Sequence, residues 1–190
     1  MTALLMGFFN NAAQAKPEDW YVNIGMGLAE TSYPKTWENV FDSWGDSSSS
    51  FRIRLSRDLG FYFPLASSTV WGVAVTDASD AISNDQGGTF GIDNYLFGLS
   101  VLSFMGSEPG DGFFARADFG RGAVQTSNVP ANSTSIDFSS VGSGTGYLLG
   151  FGYGMPTGPG TRILFSISFQ TTQISGDQFS ASRLSAGVLF

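Results

Sequence analysis

A run of alternating side chains from Phe51 to Phe63 constrains the fold of this chain more than any other feature. The odd positions are apolar except for Arg57, and the even positions are polar or small. A period of two is that of a β-strand, because successive side chains point to opposite faces of a sheet. A tilted strand needs roughly 9–11 residues to cross the hydrocarbon of a bilayer. The run therefore predicts a strand of membrane-spanning length.

Seven further segments show the same period with less purity. They are predicted as strands at 20–29, 69–76, 94–104, 113–120, 147–154, 163–170 and 183–190. In the last of them, Leu184, Ala186, Val188 and Phe190 share one face, and Arg183 lies on the other with Ser185 and Gly187. Eight such segments in one chain predict an all-β fold, an eight-stranded antiparallel up-and-down transmembrane β-barrel.

The connections between these segments are predicted to alternate in length. Long ones are expected at 31–49, 77–93 and 121–143, with a shorter one at 172–178, and tight turns are expected at 64–67, 106–112 and 156–160. Long loops at one end and tight turns at the other are typical of outer-membrane barrels. An even strand count then places both termini at the tight-turn end, which is the periplasmic end in such proteins.

Composition agrees with this fold and excludes several function classes. Charged residues are only 13% of the 190 residues, and there are 25 Gly and 18 Phe, as expected where apolar side chains face lipid and small ones face a narrow interior. A net charge of −7 argues against nucleic acid as a partner, because phosphate contacts need clustered Lys and Arg. The chain has no run of 18 apolar residues, so we expect no transmembrane helix.

The first 15 residues have the pattern of a secretory signal peptide. A short apolar stretch from Thr2 to Phe9 precedes Ala13-Gln14-Ala15, an A-x-A cleavage pattern. A basic start is missing, so the natural leader is expected to be longer. We therefore predict residues 1–15 as a leader and 16–190 as a single barrel domain.

The strand faces, the loop asymmetry, the leader and the terminal Phe190 together resemble the small eight-stranded outer-membrane proteins. These are the OmpA transmembrane domain, the OmpX/Ail/Lom group and the opacity-type porin-like proteins. The resemblance implies a cell outer-membrane location in a Gram-negative envelope, contact with outer-membrane lipid and lipopolysaccharide, and periplasmic termini. It also implies that the assembly machinery reads the last strand, with Phe190 as part of the signal.

The absence of His and Cys argues against catalysis. A Ser nucleophile needs a neighbouring base, usually His and sometimes Lys, and the only lysines are Lys16 and Lys35. The barrel lipases, acyltransferases and proteases, as families, rely on His. An acid and base pair formed by Asp58 and Asp118 stays formally open. We predict a protein that is not an enzyme and has no cofactor, metal site or catalytic residue.

Six charged residues are expected to point into the barrel. A charge in a narrow interior must be paired or it costs several kcal/mol, so a structural ion-pair network is predicted, with a polar path or anion site as the alternative. The predicted network consists of Arg52, Arg54, Asp58, Arg116, Asp118 and Arg183.

The loops are expected to be acidic and to carry the surface chemistry. Ten carboxylates against Lys35 and Arg121 give a local charge near −8, which argues against a polyanion-binding adhesin. The carboxylates counted are Glu30, Glu38, Asp42, Asp46, Asp77, Asp80, Asp85, Asp93, Asp137 and Asp177. Aromatic residues of the first loop are candidates either for contact with an extracellular partner or for a lid on the barrel: Trp37, Phe41 and Trp44.

The sequence thus predicts a monomeric, non-enzymatic outer-membrane barrel with a side-chain-filled lumen and a structural or surface-interaction role. Two alternatives stay open. One is a narrow channel for small or apolar solutes. The other is a soluble, lipocalin-like ligand-binding barrel, which would need its apolar faces turned inward.

Overall fold

The computed structural model describes residues 19–45, 51–84, 87–131 and 135–190, without the side chains of residues 41–45 and 51. The predicted leader at 1–15 lies outside these residues. The elements are β1 Tyr21–Ser32, α1 Lys35–Gly45, β2 Phe51–Ala66, β3 Thr69–Ser83, β4 Thr89–Phe104, β5 Gly112–Val129, β6 Asp137–Gly158, β7 Thr161–Ile174 and β8 Asp177–Leu189.

The eight strands form one closed antiparallel barrel in sequence order, and β1 pairs with both β2 and β8. This confirms the predicted fold class. From Tyr21 to Leu28 on β1 the closure leaves no free sheet edge, which is the condition for a sheet to cross a bilayer. The chain end completes the closure, because Phe190 N donates to Val22 O at 3.0 Å and Val22 N donates to Phe190 O at 2.7 Å.

The outer wall is apolar, and the alternation in the sequence explains why. Most residues predicted to face outward are exposed, among them Met26 at 72% and Phe119 at 63%. Their inward neighbours are mostly buried. Exposed apolar side chains around the whole wall match lipid rather than water. A lipocalin-like barrel needs the opposite arrangement, so the structure contradicts that alternative.

The predicted long loops at 77–93 and 121–143 are wrong. The β3 strand continues to Ser83, and β4 begins at Thr89. In the same way β5 continues to Val129, and β6 begins at Asp137. Outside the lipid a strand no longer needs an apolar outer face, so its period-two signal fades although backbone pairing continues. The barrel therefore extends well beyond its apolar band at this end, which we call the loop end. The other we call the terminal end.

The first predicted loop, 31–49, contains a helix. The α1 helix spans Lys35–Gly45, and the amide N–H groups of Trp37 and Glu38 donate to the carbonyl of Pro34 at its start. None of the described residues forms a helix long and apolar enough to cross a membrane.

Candidate functional site

The lumen is filled by side chains in layers. An apolar cluster closes the terminal end, a second lies at the loop end, and polar and charged groups occupy the space between. The terminal-end cluster is Tyr21, Tyr62, Val70, Leu102, Phe104, Phe114, Leu164 and Leu189. The loop-end cluster is Tyr33, Ile82, Phe90, Ile92, Val124, Ile174 and Phe179. An interior of this width has room for side chains and little else.

Arg116 is the centre of the first charged group. Its guanidinium donates to Asp58 on the facing wall at 3.0 Å and to Asp118 at 2.7 Å, and all three side chains are nearly buried. Asn23 adds a hydrogen bond to Asp58 at 2.9 Å, and Ser100 donates to Asp118 at 2.5 Å. A buried cation with two carboxylates and further donors meets the condition under which burying charge is tolerated.

Arg183 lies in the lumen without a carboxylate within 4 Å among the described residues. It is 4% exposed and donates instead to the side-chain oxygen of Gln170. Gln170 also accepts from Thr76 at 3.0 Å and donates to Asn94 at 3.1 Å. The charge of Arg183 balances the extra carboxylate of the Arg116 group, so these four charges together are neutral.

Asp80 is the centre of the second charged group, near the loop end. Its side chain is fully buried and accepts from Thr31 at 2.6 Å, Tyr33 at 3.1 Å and Arg52 at 2.5 Å. Asp80 was expected in the loop at 77–93, and this prediction is wrong, because Asp80 lies in β3 and points into the lumen. Arg52 and Arg54 therefore pair here rather than with Asp58 or Asp118.

Tyr33, just after β1, contacts both this charged group and the loop-end cluster. Burial raises the pKa of its phenol well above the ordinary value, and the neighbouring Asp80 carboxylate adds to the increase. The phenol therefore keeps its proton and stays a hydrogen-bond donor to Asp80.

The wall between β1 and β2 opens at the loop end. Their pairing stops at Leu28 and Leu55, although β1 continues to Ser32 and β2 begins at Phe51. Both strands stay paired with their other neighbours there. We call this stretch, 29–32 facing 51–54, the seam.

The side chain of Arg54 fills the seam. It is bonded to Glu30, which is on the outer face, and its Nε lies 3.5 Å from Asp80 Oδ2 in the lumen. Arg54 thus connects the inside of the barrel with the outside through the unpaired stretch.

The outer wall carries one charged group of its own on β2–β4. Arg57 donates to Asp77 at 2.8 Å, and its Nη2 lies 4.0 Å from Asp93. Asp77 and Asp93 were expected in the long loop at 77–93. They face outward in strands and Asp80 faces inward, so these carboxylates do not converge. Among the described residues no set of three or more His, Cys, Asp or Glu could hold a metal ion.

The α1 helix packs against the barrel mouth. Trp37 and Val40 are partly buried against the loop-end cluster, so Trp37 occupies the lid position. The side chains of Phe41 and Trp44 lie outside the described residues.

Arg162 closes the other end of the lumen. It is 3% exposed and its Nη2 lies 3.0 Å from Glu108 Oε2 in the turn between β4 and β5. Gly110 makes this possible, because a Cβ there would lie 2.5 Å from the Arg162 stem. A nearby internal cavity, bounded by Asp58 and Arg116, has about 10 Å³, room for a single water.

Sequence reasoning missed Asp80 and Arg162 as lumen residues, and it did not include Asn94 or Gln170 in the polar network. For Asp80 a signal existed in the sequence. Every second residue of β3 points inward, and this alternation continues through Thr76 and Ala78 to Asp80. Arg162 stands next to a turn, where parity cannot be assigned from the sequence.

Comparisons with known proteins identify the fold. No family model matches the chain, and no curated protein matches it. Among solved structures, Ail of Yersinia pestis in complex with the heparin analogue sucrose octasulfate is 12% identical, with a TM-score of 0.54 over 91% of this chain and 99% of that one. Neisserial surface protein A is 16% identical, with a TM-score of 0.55 over 90% and 95%. The chain thus has the fold of the small eight-stranded outer-membrane barrels.

Proposed function

We propose that this protein is an integral outer-membrane barrel without enzymatic activity, which acts through its surface. The proposal is supported by an apolar outer wall together with an apolar side-chain cluster at each end of the lumen. Asp58 and Asp118, the one formal acid and base pair, are both bonded to Arg116. A carboxylate held by a buried guanidinium is a poor proton acceptor, so the Ser100 hydroxyl that donates to Asp118 is not activated as a nucleophile.

The terminal end is proposed to face the periplasm. Its connections are short, and both chain ends of the barrel meet there through Val22 and Phe190. The exposed ring of Phe190 closes the last strand, which suits recognition by the assembly machinery. The loop end, with α1 and the strand extensions, would then face outside the cell, beside lipopolysaccharide.

The exposed loop end is proposed to be acidic. Glu30, Asp77 and Asp80 are bonded to arginines and Asp93 lies beside Arg57. These four carboxylates face three arginines, and the remaining six predicted loop carboxylates face two cations, which leaves a charge of about −5. This is smaller than expected from the sequence but of the same sign. It opposes the sulfated ligand seen on Ail, so we propose a partner that is neutral or basic.

Fractionation tests the location. The full chain, expressed in a Gram-negative host, should stay with outer membranes through washes in high salt and alkaline carbonate. Recovery in the soluble fraction would contradict the proposal.

A narrow channel is the second candidate, and the seam favours it. If Arg54 gates a lateral path, Arg54→Ala should conduct in a planar bilayer while Arg57→Ala, on the outer wall, should not. A closed lumen predicts no steady current from either variant.

A further inference from the structure

The hairpin of β5 and β6 rises above its neighbour at the loop end. β5 and β6 stay paired up to Asn128 and Asp137, whereas the pairing of β6 with β7 begins only at Thr145. The hairpin of β7 and β8 ends lower. Within the described residues, the upper part of β6 therefore has a strand on one side only. We call its residues 137–140, above the bulge at Val141, the free edge.

The register shows which backbone groups of the free edge have no strand beside them. In an antiparallel sheet, the N–H and C=O of successive residues point to alternate sides. Phe113 of β5 accepts from the chain just after β4 at 2.7 Å, so the even-numbered residues of β5 face β6. Thr126 pairs with Ser139. Phe138 and Ser140, on either side of Ser139, therefore turn their N–H and C=O away from β5.

The two unpaired edges at the loop end differ in how they are covered. Sheet edges can pair with other chains, and proteins usually cover them or place charge or Pro on them. At the seam, the side chain of Arg54 fills the gap and is bonded to Glu30. The described residues provide no such cover for β6, where residues 137–140 are all exposed. Its free main-chain donors and acceptors are those that β-strand addition uses.

The aromatic ring in the free edge lies beyond the reach of lipid hydrocarbon. Phe138 is 60% exposed on the outer face. At about 3.3 Å per residue and a tilt near 40°, it stands roughly 20 Å above Tyr147, the last aromatic residue of the apolar band on β6. The bilayer therefore does not explain an exposed apolar side chain here. A residue of an added strand would cover the ring, since cross-strand aromatic pairs stabilise sheets.

The charges around the free edge restrict the partner. Asp137 in the edge and Asp177 at the start of β8 are both exposed, and neither forms an ion pair with a described cation. Arg121 pairs with Thr145 at the base of this stretch, so two carboxylates stand against one cation. A basic segment is attracted to such a surface and an acidic one is repelled.

We propose that the free edge binds an extended polypeptide segment of an extracellular protein by β-strand addition. An apolar residue of the segment covers Phe138, and a basic residue lies near Asp137. The inference rests on the surface role and outward loop end proposed above, and it assigns the contact to β6. Phe138 and Ser140 offer about four main-chain hydrogen bonds between them, so the contact is weak and reversible.

Hydrogen exchange followed by NMR tests the proposal, with the full chain in micelles and a synthetic octapeptide of alternating lysine and valine as the probe. Without peptide, the amides of Phe138 and Ser140 should exchange rapidly, whereas that of Ser139 should be protected by its bond to β5. Saturating peptide should slow exchange at Phe138 and Ser140 about tenfold. The same peptide methylated at every amide nitrogen cannot donate main-chain bonds and should give no protection.

Variants separate the edge from the surrounding surface. Ser140→Pro removes an N–H that faces away from β5, a position where an edge strand tolerates Pro, and should weaken peptide binding about tenfold. Phe138→Ala should weaken it about fivefold through loss of the cross-strand contact. Ser139→Ala leaves the free backbone groups in place and should bind as the unaltered protein does.

Slow exchange at Phe138 and Ser140 without peptide would overturn the proposal, because the edge would then be covered. Equal protection by the methylated peptide, or no protection by either peptide, would overturn it as well. If Ser140→Pro lacks the gel mobility of a folded barrel, Phe138→Ala decides, and unchanged binding by it counts against the proposal. A protein that fractionates with outer membranes but leaves these amides unprotected contradicts this inference alone. Recovery in the soluble fraction contradicts the proposed function itself.

Discussion

Arg116 on β5 donates a hydrogen bond of 3.0 Å to Asp58 on β2, 58 positions earlier in the chain. The bond crosses the lumen and ties two walls that share no backbone pairing. Asp118 accepts from the same guanidinium at 2.7 Å. The interior of this barrel thus places charge pairs between two apolar clusters.

Removing Asp118 should destabilise the barrel without preventing insertion. Asp118→Ala leaves Arg116 with one carboxylate, so Arg116 and Arg183 are then balanced by Asp58 alone in this part of the lumen. Breaking a buried ion pair costs about 3–5 kcal/mol, so the urea midpoint of unfolding in micelles should fall clearly. Ser166→Ala removes only a 2.8 Å hydroxyl contact with Ser185 and should have a much smaller effect. Equal midpoints for the two variants would refute the network.

A side chain at Gly98 should block closure of the wall. A Cβ there would lie 2.2 Å from the carbonyl oxygen of Phe119 on the neighbouring strand, and backbone cannot move aside without loss of pairing. Gly98→Val should therefore sharply reduce the refolded fraction in detergent. Ala117→Val, an outward position nearby, is the matched control and should refold normally. Similar yields would show that the close approach of these strands is not required.

Tyr33 should make the barrel sensitive to alkali. Because its folded pKa is raised, its contribution is fully present below the unfolded value of about 10 and is lost as the pH rises above it. Unfolding midpoints of the unaltered protein should fall between pH 9 and about pH 11. At pH 7 the Tyr33→Phe variant should be about 1 kcal/mol less stable than the unaltered protein, because it lacks the hydrogen bond to Asp80. Its unfolding midpoint should then fall less as the pH rises. Parallel pH profiles would contradict the assignment.

The loop end should not bind sulfated polyanions. Its proposed negative charge repels them, and electrostatic attraction is what concentrates such ligands at a surface. Isothermal titration with sucrose octasulfate at low salt should give no heat of binding. A saturable signal that disappears at high salt would contradict the proposed negative charge of the loop end.

The sequence predicted the lipid-facing part of the fold well. Where the wall meets lipid, the outward side chain must be apolar. Residues such as Phe97 and Phe151 therefore indicated which positions of each strand face outward. Above the apolar band this requirement ends. Asp77 and Asp80 occupy opposite faces of β3 there, and nothing in their identity distinguishes wall from loop.

The lumen was harder to predict than the wall. The sequence predicted which residues point inward, but it did not predict which charged side chains pair with each other. That pairing depends on the stagger between neighbouring strands. Arg52 and Arg54 lie on the strand that also carries Asp58, yet they bond to Asp80 and Glu30. The seam depends on where the ladder of β1 and β2 stops, which no residue type indicates.

Heat-modifiability on a gel tests the central claim most directly. A closed transmembrane barrel keeps its compact shape in detergent, so the membrane-extracted protein should migrate faster unheated than boiled. The account predicts this shift in the outer-membrane fraction. Identical mobility before and after boiling, with the protein recovered as a soluble species, would contradict it.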